Sequence, residues 1–281
     1  MVSGPFGSVS TQSISANGIE INVATAGSGP AILLLHGFPH TWELWSRIIP
    51  KLAETHFVIA PDRRGNGGSA RAAGGYDLAT LSEDAVAVLD AFNIAEADVM
   101  AMDAGAPTAF YLALLHPERV HRLVIMEAIL GDLPRPGVPD GFSPWWFGFH
   151  GVPGLAETVI EGHEDEYIGY FLDNGIWNGT MDPELRARFI DAYRGRESLR
   201  CGFEYYRYLE VNGRQIDDAL AERRLTMPTL VVGSSPIGRG LYTQVQPLAD
   251  DVRGELIENC GHAIPLDRPQ ELLDIIRPFL S

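Results

Sequence analysis

The chain has 281 residues, of which 46% are hydrophobic and 21% charged, and its formal net charge is −16. This length and apolar content suit one globular α/β domain with a sizeable insertion and a large core. The acidic charge, with Lys51 as the only lysine, argues against nucleic acid or an anionic membrane surface as a partner.

Targeting and redox features favour a cytoplasmic protein. The opening sequence MVSGPFGSVS has neither a charged start nor an apolar segment, so we expect no secretory signal. No apolar run approaches the roughly 20 residues that a membrane span needs. The two cysteines, Cys201 and Cys260, lie far apart in sequence and predict free buried thiols rather than a disulfide framework.

The amino-terminal region predicts a β-hairpin, because residues 11–15 and 19–24 alternate in polarity around the turn signal Asn17-Gly18. Beyond it, short apolar runs alternate with stretches of helical period. Strands are predicted at residues 31–35, 57–60, 98–102, 122–126, 229–232 and 255–257, and helices at residues 42–54, 78–92, 107–116 and 270–280. This alternation predicts an α/β fold with a mainly parallel sheet and helices on both of its faces.

The alternation breaks between about residues 131 and 224, where the turn-rich sequence GDLPRPGVPDGFSP leads into helical segments with many aromatic residues. A segment this long between two core strands must pack as a unit of its own. We interpret it as a helical cap over the carboxyl edge of the sheet, where open α/β sheets bind ligands. The predicted division is core over 1–131, cap over 132–223 and the second part of the core over 224–281.

The pentad AMDAG at 101–105 follows a predicted strand and opens a predicted helix. In this strand–turn–helix setting the G-x-S-x-G motif presents a nucleophilic serine, and here Asp103 stands in its place. The amino end of the helix favours a negative charge, which keeps Asp103 ionised. Asp103 could instead serve only as a helix cap, and the pentad alone leaves both interpretations open.

A carboxylate nucleophile selects the class of substrate. Its attack on an acyl carbon would give an anhydride, whereas its attack on a saturated carbon gives an alkyl ester that water then cleaves at the carbonyl. We therefore expect a substrate with an electrophilic sp³ carbon and a leaving group, which is either an epoxide or a carbon–halogen compound.

The candidate base is His262, in the loop NCGH at 259–262, and it would activate water. In proteins whose nucleophile lies on such a strand–turn–helix elbow, the histidine comes after the nucleophile and the acid in the chain, and this residue has that place. The candidate acid that orients it is Glu127, directly after the strand at 122–126, because no carboxylate follows the strand at 229–232. The alternatives are a surface histidine beside a turn and a structural carboxylate at a strand end.

The motif HGFP at 36–39 follows the strand at 31–35. A loop at this position supplies one N–H group of an oxyanion hole, and the residue after the nucleophile supplies the other. The predicted oxyanion hole therefore consists of the backbone amides of Phe38 and Ala104, while His36 supports the loop.

Together these motifs resemble the α/β-hydrolase superfamily over essentially the whole chain, and more narrowly its epoxide hydrolase and haloalkane dehalogenase branch. The sequences MEAI at 126–129, FEYYR at 203–207, MPT at 227–229 and CGH at 260–262 are similar to bacterial epoxide hydrolases of the Cif type. The resemblance implies an α/β-hydrolase fold with an inserted helical cap and no cofactor.

The resemblance also implies two cap side chains that hydrogen-bond the epoxide oxygen. Tyr206 matches one of them, and Trp146 stands where the family usually has a tyrosine or histidine. An indole N–H donates a hydrogen bond but supplies no proton, so Tyr206 would carry the acid role and Trp146, with Trp145, would polarise the oxygen. Both tryptophans could instead form cap core or a substrate wall.

The cap aromatics predict an apolar substrate, aromatic or bulky. The expected substrate contacts are Trp145, Phe38, Phe142 and Phe147. A resemblance to tailoring enzymes of aromatic polyketide pathways suggests an epoxide-bearing polyketide and a place in secondary metabolism. The expected reaction partners are the epoxide and water, and a homodimer is left open.

Two alternatives remain at this point. A dehalogenase acting on haloalkanes or haloacids would use the same residues, although Phe38 and Ala104 stand where typical haloalkane dehalogenases have halide-binding Asn and Trp. Haloacetate dehalogenases differ from this chain at the same place, since they have an arginine where Ala104 stands. The second alternative is a non-hydrolytic homologue that only binds a ligand. The eight histidines do not fall at metal-ligand spacings, so we expect no metal.

Overall fold

The computed structural model describes residues 9–134, 143–177 and 179–281. The expected substrate contact Phe142 lies outside these ranges. Within them, no helix is both long and apolar enough to cross a membrane. The same ranges contain no group of three or more His, Cys, Asp or Glu side chains suited to a metal ion. Both cysteines are buried and free, as predicted.

Eight strands form one sheet in the order β1-β2-β4-β3-β5-β6-β7-β8. They are β1 (Ser10–Ala16), β2 (Ile19–Gly27), β3 (Ala31–Leu35), β4 (Phe57–Pro61), β5 (Ala97–Met102), β6 (Val120–Met126), β7 (Thr229–Gly233) and β8 (Val252–Leu256). β2 pairs antiparallel with β1 and β4, and all other neighbours pair parallel. The predicted mainly parallel α/β sheet is confirmed.

Twelve α-helices accompany the sheet. They are α1 (Ile49–Leu52), α2 (Leu78–Ala91), α3 (Gly105–Leu115), α4 (Trp145–Gly151), α5 (Leu155–Ile160), α6 (Glu164–Asn174), α7 (Pro183–Asp191), α8 (Arg196–Arg207), α9 (Leu209–Leu220), α10 (Gly240–Val245), α11 (Ile264–Asp267) and α12 (Pro269–Leu280). This count refers to the described ranges alone.

The central strands are buried on both faces because their sequences are continuously apolar, as in the AILLL of β3. Alternate side chains of each strand enter two separate core clusters, one on each face. In β5, for example, Met100 and Met102 join one cluster, whereas Val99 and Ala101 join the other. The carboxyl ends of the parallel strands therefore meet at one edge of a rigid sheet.

Two predicted elements differ from the observed ones. The helix predicted at 42–54 is a 3₁₀ turn, Trp42–Trp45, followed by the short helix α1, which has Pro50 in its first turn. Proline cannot donate the N–H group that a continuous helix would need there. The strand predicted at 255–257 begins earlier, as β8. Its first residues were missed because this edge strand alternates between half-buried residues and exposed Arg253 and Glu255, and so has no continuous apolar run.

Helices α4 to α9 fill the chain between β6 and β7, and we call them the helical insertion. It is fixed to the loop that follows β4. Tyr205 donates a hydrogen bond from its hydroxyl to the Arg64 carbonyl at 2.7 Å, and the Arg63 guanidinium lies 4.3 Å above the Tyr205 ring. The Tyr193 hydroxyl donates to Asn66 at 3.1 Å. These contacts hold the insertion against the core.

Candidate active site

Asp103 occupies a sharp turn between β5 and α3. Its φ angle is +53°, in the left-handed region that non-glycine residues rarely adopt. The turn lies very close to one other chain segment, residues 35–37. A Cβ at Gly105 would lie 2.4 Å from the Leu35 carbonyl, and one at Gly37 would lie 2.3 Å from Asp103 Oδ1. Only glycine fits at either position, and the strained turn projects the Asp103 carboxylate out of the sheet edge.

The two carboxylate oxygens of Asp103 have different partners. Oδ1 accepts a hydrogen bond from the Phe38 backbone N–H at 2.8 Å, and Oδ2 lies 3.2 Å from His262 Nε2. Burial opposes the charge, but His262 and the N–H groups of Ala104 and Phe38 outweigh it and lower the pKa of Asp103. The carboxylate is therefore ionised at neutral pH. Its side chain is 25% exposed, so water and small molecules reach it.

His262 bridges two carboxylates. Its Nδ1 lies 3.2 Å from Glu127 Oε2, while Nε2 faces Asp103. Burial disfavours the protonated ring, but hydrogen bonds with Asp103 and Glu127 raise the pKa of His262 to about 10. In the resting site the imidazole is thus protonated and lies between two carboxyl groups, and both ring nitrogens donate.

Glu127 follows β6 and is 1% exposed, with a φ angle of +47°. Its Oε1 accepts a hydrogen bond from the Ser234 backbone N–H at 2.6 Å, and its Oε2 faces His262. Ser234 belongs to the loop after β7, which the sequence had excluded as a source of the acid. That loop supplies a donor that fixes Glu127, so both strand ends contribute to orienting the histidine.

Tyr206 lies on α8, with its ring 5.7 Å from the Phe38 ring and 5.3 Å from the Phe147 ring. Burial, followed by the charge of Asp103, raises the pKa of Tyr206 well above its ordinary value. The hydroxyl is therefore protonated at neutral pH. Among the described residues it has no hydrogen-bond partner, which leaves it available to a ligand.

Among the rings in the described ranges, the two tryptophans on α4 contact Phe171 rather than Tyr206. Trp146 is half-buried, and its ring lies 5.5 Å from Phe171, which in turn lies 5.4 Å from Phe38. Trp145 is 55% exposed and stacks on Phe171 at 6.3 Å. A continuous row of rings thus leads from the surface to the loop beside the nucleophile.

His150 is a candidate that the sequence analysis missed. It is buried on α4, stacked on Phe203 at 4.2 Å and set edge-on to Tyr206 at 4.5 Å. Its Nε2 lies 2.6 Å from the Tyr167 hydroxyl, and its Nδ1 has no partner among the described residues. Burial, with Arg207, lowers the pKa of His150 to about 3, so the ring is neutral. The sequence contained one indication of this position, which is spacing. Phe147 and His150 lie three residues apart and therefore on one face of the helix.

Comparisons with known proteins identify the family of the chain. A family model for the alpha/beta hydrolase fold matches residues 30–164. The chain is 32% identical to the soluble epoxide hydrolase of Corynebacterium sp. (strain C12), with 94% of this chain and 95% of that protein covered. It is 28% identical to the fluoroacetate dehalogenase of Burkholderia sp., over 94% and 91% of the two chains. The solved structure of the epoxide hydrolase CorEH superposes with a TM-score of 0.87 at 30% identity, covering 97% and 98%.

Proposed function

Because the chain belongs to the α/β-hydrolase family and to its epoxide hydrolase branch, we propose that it converts an apolar, aromatic or bulky epoxide to a vicinal diol through an ester on Asp103. The observation that carries this proposal is the environment of the Asp103 carboxylate. One oxygen accepts from the Phe38 amide and the other faces His262. A carboxylate that served only to cap α3 would not need either partner.

Ester formation uses the two Asp103 oxygens differently. Oδ1 accepts a hydrogen bond from the Phe38 N–H group, and the Ala104 N–H group also donates to the carboxylate. In the proposal Oδ2, which lies beside His262, attacks the epoxide carbon. The carbon–oxygen bond of the ring breaks as the new ester bond forms, and the ring oxygen leaves with the electron pair. Oδ1 becomes the ester carbonyl oxygen and already lies in the oxyanion hole needed for the next step.

The departing ring oxygen takes a proton through Tyr206. Its hydroxyl, which has no hydrogen-bond partner in the part of the chain that the structure describes, and its position beside Phe38 support that role. Trp146 remains the second donor proposed from sequence, with Trp145 further out along the row of rings. His150 competes for the same role, since its ring lies against Tyr206 and its Nδ1 is unpartnered.

Ester hydrolysis depends on a change in the charge of the site. Alkylation neutralises Asp103 and removes the main anion that stabilises the proton on His262, so this proton passes through water to the tyrosinate of Tyr206. Neutral His262, oriented by Glu127, then takes a proton from water while the hydroxide adds to the ester carbonyl. The N–H groups of Phe38 and Ala104 stabilise the oxyanion. Its collapse expels the diol oxygen, which regains a proton from His262. The carboxylic acid left on Asp103 then gives its proton to His262, which restores the resting ion pair.

The aromatic lining supports the proposed substrate class. Phe38 lies in edge contact with several rings of the helical insertion, which acts as the cap in this proposal. Flat apolar ligands fit such surroundings, and Trp145 and Phe147 are proposed to contact them. An epoxide-bearing polyketide of secondary metabolism, handled in the cytoplasm, remains our candidate substrate, and a homodimer remains a prediction.

The test is the intact mass of His262→Gln after separate incubation with an aryl epoxide and a bromoalkane. We expect a gain equal to the whole epoxide, because the ester forms but cannot be hydrolysed. The gain should vanish when Asp103 is also replaced by Asn. In heavy-oxygen water, a single turnover of the wild type should give diol whose new oxygen comes from Asp103. Solvent label in that first diol would refute the ester route.

A dehalogenase is the second candidate, favoured by the similarity to the fluoroacetate dehalogenase. The same mass experiment separates the two activities. A gain of only the alkyl group, obtained with the bromoalkane and not with the epoxide, would replace the epoxide proposal by dehalogenation. Absence of any adduct would leave the ligand-binding alternative, which predicts binding that is indifferent to Asp103→Asn.

A further inference from the structure

Asp267 lies five residues after His262, at the end of α11, and takes no part in the chemistry described above. Its side chain is 3% exposed. One of its oxygens, Oδ1, accepts a hydrogen bond from Arg268 at 2.8 Å. The other oxygen joins two segments that are far apart in sequence. The first is the loop 259–263, which carries the base, and the second is the segment 175–177 of the helical insertion.

Both segments donate backbone N–H groups to Asp267 Oδ2. The Gly261 N–H lies 2.6 Å from it, and the Trp177 N–H lies 2.9 Å from it. A carboxylate oxygen has two lone pairs and accepts both bonds without distortion. The residue before His262 and a residue of the insertion are therefore fixed to a single buried atom.

Direct backbone contact reinforces this junction. The Ala263 N–H donates to the Gly175 carbonyl at 2.9 Å. A Cβ at Gly261 would lie 2.3 Å from the same carbonyl oxygen, so only glycine permits the approach. The residues on either side of His262 thus contact the insertion, and the Asp267 carboxylate joins both segments from one side.

We propose that Asp267 is a positioning residue, which sets the His262 ring relative to the helical insertion and hence to an ester held beneath it. This inference rests on the proposed ester mechanism. The Phe38 N–H group holds the Asp103 carboxylate through its other oxygen, Oδ1, independently of His262, whereas water activation depends on where His262 points. Loss of Asp267 therefore slows ester hydrolysis more than ester formation.

The experiment compares Asp267→Ala and Asp267→Asn with Asp182→Ala. Asp182 is a matched control, because its carboxylate also accepts a backbone N–H, from Leu185 at 2.9 Å, at the exposed start of α7. Rapid quenching and intact mass give the rates of ester formation and hydrolysis. We expect Asp267→Ala to slow hydrolysis by about 10- to 100-fold, as for a catalytic group misplaced by about 1 Å, with ester accumulating. Asp267→Asn should recover most of the loss, since its carbonyl oxygen accepts both N–H groups.

Amide hydrogen exchange gives a readout that does not depend on the reaction. Asp267→Ala should speed exchange in 175–177 and 259–263 together, whereas Asp182→Ala should do so only near the start of α7. Should Asp267→Ala fail to fold, Asp267→Ser, whose hydroxyl is too short to reach both donors, replaces it. Equal slowing of both steps, or unchanged exchange at 175–177, would overturn the positioning role. Failure of His262→Gln to form any ester would instead overturn the proposed function.

Discussion

Replacement of Glu127 by glutamine tests how the base is oriented. Both oxygens of Glu127 accept hydrogen bonds, one from Ser234 and the other from His262. An amide has only one accepting oxygen. If that oxygen keeps Ser234, the NH₂ group faces His262 Nδ1 and favours the tautomer whose Nε2 carries the proton, which is the wrong form for a base. If the amide turns over, its NH₂ group meets the Ser234 N–H instead.

The magnitude follows from the bond that is lost. A hydrogen bond to a charged group contributes about 1.5–3 kcal/mol, and about 1.4 kcal/mol changes a rate tenfold. Since the positive charge on His262 develops during water attack, we expect Glu127→Gln to slow ester hydrolysis about 10- to 150-fold. Ester formation should change much less, because the Asp103 amide contacts are untouched.

The assay is rapid quenching followed by intact mass, which reports the fraction of enzyme in the ester form during turnover. Glu127→Gln should accumulate ester that the wild type does not. Glu43→Gln is the control, because Glu43 is a second buried glutamate that pairs with Arg188 outside the catalytic group. Equal slowing of ester formation and hydrolysis would refute the reasoning and return Glu127 to a structural role.

Three further predictions concern the nucleophile, the acid and the pH dependence of stability. Gly37→Ala places a Cβ against the Asp103 carboxylate. It should slow ester formation by about 100-fold, the usual effect of displacing a reacting group by about 1 Å. A single-turnover rate equal to that of the wild type would contradict this prediction. Tyr206→Phe should slow epoxide opening by about 100-fold or more, while ester hydrolysis keeps its normal rate. The control Tyr205→Phe, which loses only a hydrogen bond to a backbone carbonyl, should leave the rates of both steps unchanged. Although burial opposes it, Asp103 and Glu127 together raise the pKa of His262 to about 10. The stability that this provides is complete below pH 6.5 and is lost as pH rises towards 10. Chemical denaturation should therefore show a steeper loss between pH 7 and 10 in the wild type than in Asp103→Asn, and equal slopes would contradict the pairing.

The sequence predicted which three side chains meet at the sheet edge because of a property of parallel sheets. Asp103, Glu127 and His262 each follow a strand, and the carboxyl ends of those strands meet at one edge. Their hydrogen bonds could therefore be anticipated from chain order alone. The Ser234 amide could not, since backbone donors leave no mark in residue identity.

The side chains from the helical insertion were harder to predict. α4 has only seven residues, WWFGFHG, and nearly every position is apolar or aromatic, so its sequence gives no preferred face. Packing against α8 decides that Phe147 and His150 contact Tyr206, while Trp145 faces solvent. Asp267 was missed for a related reason, because its partners are backbone groups from two distant segments.

The attachment of the insertion to the loop after β4 determines how substrate and product enter and leave the site. Swinging the insertion away as a rigid body would break the Tyr205 and Tyr193 hydrogen bonds together, along with the Asp267 junction on the other side. Rotation of single rings such as Phe171 and Trp145 breaks none of them. Substrate and diol therefore exchange through side-chain rotation, which is fast in partly exposed residues, and a slow domain motion need not limit turnover.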